Sequence, residues 1–273
     1  MSQGYAVTNA MTGLAAGSFV WSSGYTTART RLNDGIMDEL ASGSSSAQAS
    51  GQTLDIDLGA ATALVGMALL NHNLASGACA VLVGAATASN YSDVATVKAA
   101  TTIVTTAPNS KDTVLQFPST NKRYWRLTFT HSGTKTLTIG ELLAFTAITT
   151  LTRGSIYGDG DAEQPFLNKN VSGTGHQRAT FLGGPVRTKR LIYKYLNTSE
   201  LAELRAMWAA STYGVSNLLF IPLIESSASA ATSAGQECLW GKLQEEFDFT
   251  RADYSLNDPS NFIIVGQGRE VGS

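Results

Sequence analysis

The sequence predicts a mainly β chain in two parts, the second of which carries one α-helix. Three observations predict it. Short runs alternate apolar and polar residues with period two, turn signals separate them roughly every ten residues, and one stretch alone carries a capped helical pattern. In order, Leu54-Asp55-Ile56-Asp57-Leu58 alternates as a half-buried strand does. Val65-Gly66-Met67-Ala68-Leu69-Leu70 is apolar on both faces and fits an interior strand. The polar corner Asn71-His72-Asn73 precedes Ala78-Cys79-Ala80-Val81-Leu82-Val83-Gly84. Thr113-Val114-Leu115-Gln116-Phe117 alternates and is expected to stop at Pro118, which has no N–H for a ladder. Tyr124-Trp125-Arg126-Leu127-Thr128-Phe129 is the most aromatic strand, and Leu137-Thr138-Ile139 with Leu142-Leu143-Ala144-Phe145 closes the set. This spacing indicates a sandwich or barrel.

The strand set ends at Ile148-Thr149-Thr150, which places the boundary between a first domain, 1–147, and a second, 148–273. The Ser-rich stretches at 41–46 and 226–233 read as loops, because strand patterns flank them closely. In the second domain, residues 177–182 and 189–195 are strand-like. A helix is expected over about 198–211: Asn197 caps it, Glu200 completes a capping box, and Leu201, Leu204, Met207 and Trp208 follow at helical spacing. Strand patterns return at 218–223, 238–243, 247–249 and 262–265.

Composition excludes several functional classes. The chain has 273 residues, of which 15% are charged, and a net charge of −2. That balance gives no electrostatic footprint for nucleic acid. No apolar run approaches the length of a membrane span, so no membrane insertion is expected. Met1 to Trp21 lacks a basic segment followed by an apolar core, so no signal peptide is expected. Cys79 and Cys238 stand far apart and read as free, buried thiols. No nucleophile elbow, zinc signature or phosphate loop is present, and His72, His131 and His176 read as loop residues. An enzyme is therefore not expected, nor is a cofactor. Asp159, Asp161 and Glu163 alternate along a run that reads as a solvated turn, while Arg187, Lys189 and Arg190 read as one exposed strand face.

Four motifs stand in order across residues 10–147: Leu32-Asn33-Asp34-Gly35, Leu54-Asp55-Ile56-Asp57-Leu58-Gly59, Arg123-Tyr124-Trp125-Arg126-Leu127 and Ile139-Gly140-Glu141-Leu142. In this the first half resembles the discoidin-type domain, the coagulation-factor type C or galactose-binding-like jelly-roll β-sandwich. The resemblance implies a structural calcium ion with Asp34 and Glu141 as candidate ligands. It also implies ligand loops at one end of the sandwich. Trp21, Tyr25 and Tyr91, together with the corner Asn71, His72 and Asn73, are the candidate contacts. The second half looks like the sandwich-with-helix domains of tail-tip proteins in long-tailed bacteriophages.

Two functions follow from these resemblances. The leading one is a virion structural protein of a phage tail tip or baseplate, similar to distal-tail proteins. It would be made in the host cytoplasm and assembled as a homo-oligomeric ring against neighbouring tail proteins. The alternative is a carbohydrate-binding adhesion module that contacts a host-surface glycan.

Overall fold

The computed structural model describes residues 3–23, 29–34, 40–43, 51–74, 79–103, 112–155, 160–171, 177–193, 196–213, 215–224, 235–243, 249–251, 257–259 and 262–266. The chain is mainly β with one α-helix. Its strands in the first half are β1 (Gln3–Ala6), β2 (Phe19–Trp21), β3 (Ala41–Ser42), β4 (Gln52–Leu70), β5 (Ala80–Ala86), β6 (Ala95–Thr102), β7 (Thr113–Thr130), β8 (Thr138–Ile139), β9 (Glu141–Phe145) and β10 (Thr149–Leu151). There follow β11 (Gly160–Val171), β12 (Gln177–Leu191), the helix α1 (Thr198–Ala210), β13 (Leu218–Ile221) and β14 (Gln236–Glu237). The chain continues with β15 (Leu239–Leu243), β16 (Phe249–Arg251), β17 (Asn257–Pro259) and β18 (Phe262–Gly266). Two compact units result. The first comprises Met1–Thr150 and Phe220–Cys238, and the second comprises Leu151–Leu219 and Leu239–Ser273.

In the first unit, two long strands do the organising. β4 and β7 pair antiparallel in two main zones, Gln52 to Asp57 against Phe129 to Tyr124 and Gly66 to Leu69 against Gln116 to Thr113, with a short ladder of Thr62 to Leu64 against Lys122 to Thr120 between them. The first zone continues sideways into the order β2-β4-β7-β5-β6. The second zone takes β9 on β4 and β14 on β7. The inward side chains of both zones form a single apolar cluster that includes Phe19, Trp21, Leu54, Ile56, Met67, Leu115, Trp125, Leu127, Phe129 and Leu142. This is the sandwich that the alternating pattern calls for.

Two expected strand breaks are bridged. The runs around Leu54 and Val65 belong to one strand, β4, with an irregularity between Asp57 and Thr62. Pro118 does not end its strand either. The β4–β7 register shifts between Leu64 and Gly66, so residues 117–119 have no ladder partner on β4 and the missing N–H costs nothing there. Lys98, on the terminal strand β6, is fully buried, and its Nζ donates to the Gln116 carbonyl at 2.8 Å. Gln116 Nε2 in turn donates to the Leu223 carbonyl at 2.8 Å.

In the second unit, β15, β18, β12 and β11 lie side by side. β12 joins the strand pattern expected at 177–182 to the first part of that expected at 189–195 and ends at Leu191, short of the expected end. The acidic run, read from sequence as a turn, enters β11. Its register sets Asp161 opposite Lys189 and Glu163 opposite Arg187, so the acidic and basic runs are cross-strand neighbours. Asp159 and His176 lie outside the described residues. The helix starts as expected. The Asn197 side chain accepts from the Glu200 N–H at 2.9 Å, while the Glu200 carboxylate accepts from the Asn197 N–H at 2.9 Å. Leu201, Leu204 and Met207 are buried along one stripe.

Candidate functional site

Period-two alternation puts the even-numbered core residues of β4 inward and leaves Asp55 and Asp57 on the outer face of the sheet. β7 answers in register, with Arg126 opposite Asp55 and Tyr124 opposite Asp57. Arg126 donates to Asp55 through Nε at 2.6 Å and Nη2 at 2.7 Å. Arg123 holds Asp57 in the same two-pronged way, at 2.7 and 2.9 Å. These are charge-assisted, bidentate pairs. The Arg123 bond holds the Asp57 carboxyl below the usual carboxylate range. Asp55 likewise raises the Arg126 guanidinium through its hydrogen bonds.

Above this face stands the loop between β5 and β6. The Asp93 carboxylate accepts from the Thr87 hydroxyl, the Thr87 N–H and the Ala88 N–H, and these bonds keep it strongly ionised. Asn90 Oδ1 accepts from the Ser92 N–H in a local turn. Tyr91 adopts a left-handed backbone, φ 56°. Its hydroxyl donates to the Ile56 carbonyl at 3.3 Å, and its ring lies beneath the Arg126 guanidinium, 4.4 Å from the centroid. Burial, with Asp55 nearby, pushes the Tyr91 phenol upward, so it stays a neutral donor. Tyr124 meets Tyr91 edge-on at 5.9 Å.

Loop and sheet face enclose an open cleft of about 450 Å³. Asp55, Asp57, Tyr91, Tyr124 and Arg126 line it, with Asn90, Ser89, Gly17, Ser18 and Val20 at the rim. Val20 is 43% exposed, a large apolar side chain turned to solvent in this cleft.

Of the residues singled out from sequence, the cleft takes in Tyr91. Trp21 is 2% exposed and packs against Phe129 at 5.7 Å, so its ring belongs to the core. The corner Asn71-His72-Asn73 is spent on holding loops. The Asn71 N–H donates to Asp112 at 2.9 Å, His72 bridges the Leu74 N–H and the Thr113 hydroxyl, and Asn73 bonds both Thr136 and Thr138. Tyr25 lies outside the described residues. Asp34 is exposed after the turn at Arg29–Leu32, whereas Glu141 is 1% exposed at the start of β9. Among the described residues no three His, Cys, Asp or Glu side chains gather as a metal site. Sequence reasoning did not nominate Asp55, Asp57, Tyr124 and Arg126, which line the cleft beside Tyr91. The signal was present: two aspartates at alternate positions of one strand, and two arginines three residues apart on an aromatic strand.

No described protein family matches the chain, and no curated protein does. Among solved structures, it is similar to chitosan-binding module 1 of a chitosanase/glucanase from Paenibacillus sp. IK-5, at 17% identity and a TM-score of 0.40, over 50% of this chain and 98% of the module. The CBM32 of AlyQ in complex with 4,5-unsaturated mannuronic acid matches at 21% identity and a TM-score of 0.39, over 47% of this chain and 94% of that one. The lectin domain of lectinolysin, complexed with Lewis B antigen, matches at 17% and 0.39, over 51% and 97%.

Proposed function

We propose that this protein binds glycans, without covalent chemistry, in the cleft formed by the outer sheet face and the β5–β6 loop. One observation carries the reading: Tyr91 and Tyr124 stand edge to face in an open cleft beside an arginine locked in place by Asp55. Sugar rings present apolar C–H faces edged by hydroxyls, and a binding site needs aromatic surface next to fixed polar groups. The cleft volume falls within the usual range for small ligands. Both partners of each ion pair are already oriented, so little side-chain freedom is lost on binding.

A glycan array followed by titration calorimetry tests the proposal. The wild-type chain is expected to bind at least one glycan, and Tyr91→Ala to weaken it by roughly tenfold or more, as loss of an aromatic anchor does. Full affinity in a folded Tyr91→Ala variant would overturn it. The tail-tip ring is a separate proposal about assembly, and the comparisons lend it no support. Native mass measurement decides it, since a discrete ring supports it and a monomer removes it.

A further inference from the structure

We infer that the cleft selects uncharged glycans, because each charge around it is already matched by the protein. This rests on the glycan-binding reading above. Asp55 is taken by Arg126 and Asp57 by Arg123, each through two short bonds. In the loop, Asp93 is held by the Thr87 hydroxyl, and Lys122 Nζ reaches that same hydroxyl at 3.4 Å. The three charged residues that line the cleft, Asp55, Asp57 and Arg126, are thus all paired, and Asp93 and Lys122 meet at one hydroxyl beyond that lining.

A uronate entering this cleft finds Arg126 already neutralised by Asp55, so the outer Nη1 offers it a hydrogen bond beside the Asp55 and Asp57 carboxylates, and a full ion pair requires drawing the arginine off its aspartate. An amino sugar meets the mirror-image problem with Arg123 and Arg126. Either exchange breaks a bidentate pair, with Asp55 only 17% exposed, and leaves a half-buried charge without its partner. A hydroxylated, uncharged ring needs no exchange. Arg126 keeps Nε and Nη2 on Asp55, and its Nη1 amino group has no protein partner among the described residues. The Tyr124 hydroxyl and the Asn90 amide nitrogen are likewise unengaged among those residues. These donors suit hydroxyl oxygens, and Tyr91 and Val20 suit the apolar edge of the ring.

The test takes the tightest-binding glycan from the array and compares its neutral, uronate and 2-amino forms by calorimetry. The neutral form is expected to bind roughly tenfold tighter than either charged form. Its Kd should change less than about twofold between about 0.05 and 0.5 M salt. Asp55→Asn uncovers the Arg126 charge and is expected to move the preference toward the uronate by roughly tenfold. Should that variant fail to fold, Asp57→Asn makes the same test through Arg123. Tighter binding of a charged form by the wild type, or an unchanged preference in a folded variant, would overturn the inference while leaving glycan binding intact. Binding of no glycan at all overturns the reading beneath it instead.

Discussion

At the scale of single residues, the proposed glycan cleft depends on a carboxylate outside its lining. Tyr91 holds a left-handed backbone that a non-glycine residue adopts at some cost, and Asp93 ties the loop that keeps it there. Asp93 is exposed, so Asp93→Ala is expected to leave the melting temperature nearly unchanged while weakening glycan affinity by roughly fivefold. Calorimetry and thermal melting on the same sample check both halves. Acid should act through Asp57. Its carboxyl is held below its ordinary value of 3.8 by Arg123, so the pair contributes fully above that value and fades as pH falls through the lower folded value. Binding is therefore expected to be flat from about pH 5 to 9 and to decline only after the pH has fallen below the ordinary value of 3.8, which a pH series of Kd measures. Burial pushes the Cys79 thiol up to about 11, and Cys238 is fully buried as well. Neither should react with an alkylating reagent at neutral pH until the chain is unfolded, when mass spectrometry should find both modified. At this scale the sequence was a partial guide. It nominated Tyr91, which lines the cleft, together with Trp21 and His72, which are buried, because residue type does not tell whether a polar or aromatic side chain at a strand end faces inward.

At the scale of elements, alternation and capping were legible because they are local. The Asn197–Glu200 capping box closes as its spacing requires, and Asn197→Ala is expected to cost about 1 kcal/mol of stability in chemical denaturation. Strand continuity was less legible. Whether β7 passes through Pro118 depends on where β4 shifts register, and that is set by a segment some fifty residues away in sequence. The acidic run at 161–163 was misread as a turn for the same reason, since its basic partners lie across the β11–β12 pairing. Close approach between strands also leaves no sequence signature. A Cβ added at Gly66 would collide with the Phe145 ring and lie 3.0 Å from the Leu115 carbonyl, so Gly66→Ala is expected to destabilise the first unit by about 1–3 kcal/mol.

At the scale of the whole molecule, the first unit is not one continuous stretch of chain. Gln236 and Glu237 pair with Val114 and Thr113, and Leu223 accepts the Gln116 amide, so a segment that follows the helix completes the sandwich. Composition gave no hint of this excursion, because a Ser-rich patch reads as a loop wherever its ends go. A fragment of residues 1–150 is therefore expected to melt well below the full chain, with a broader transition by circular dichroism. The same unit contains a safeguard against misalignment. The β6 sequence Ala-Thr-Val-Lys-Ala-Ala-Thr-Thr has small residues on both faces, so apolar patterning alone barely distinguishes one alignment on β5 from the next. Lys98 removes the ambiguity, because a slip of one residue would turn its buried amine away from the Gln116 carbonyl. A cation reaching inward from a border strand thus acts as a locating pin for a strand whose own side chains hardly state a preference.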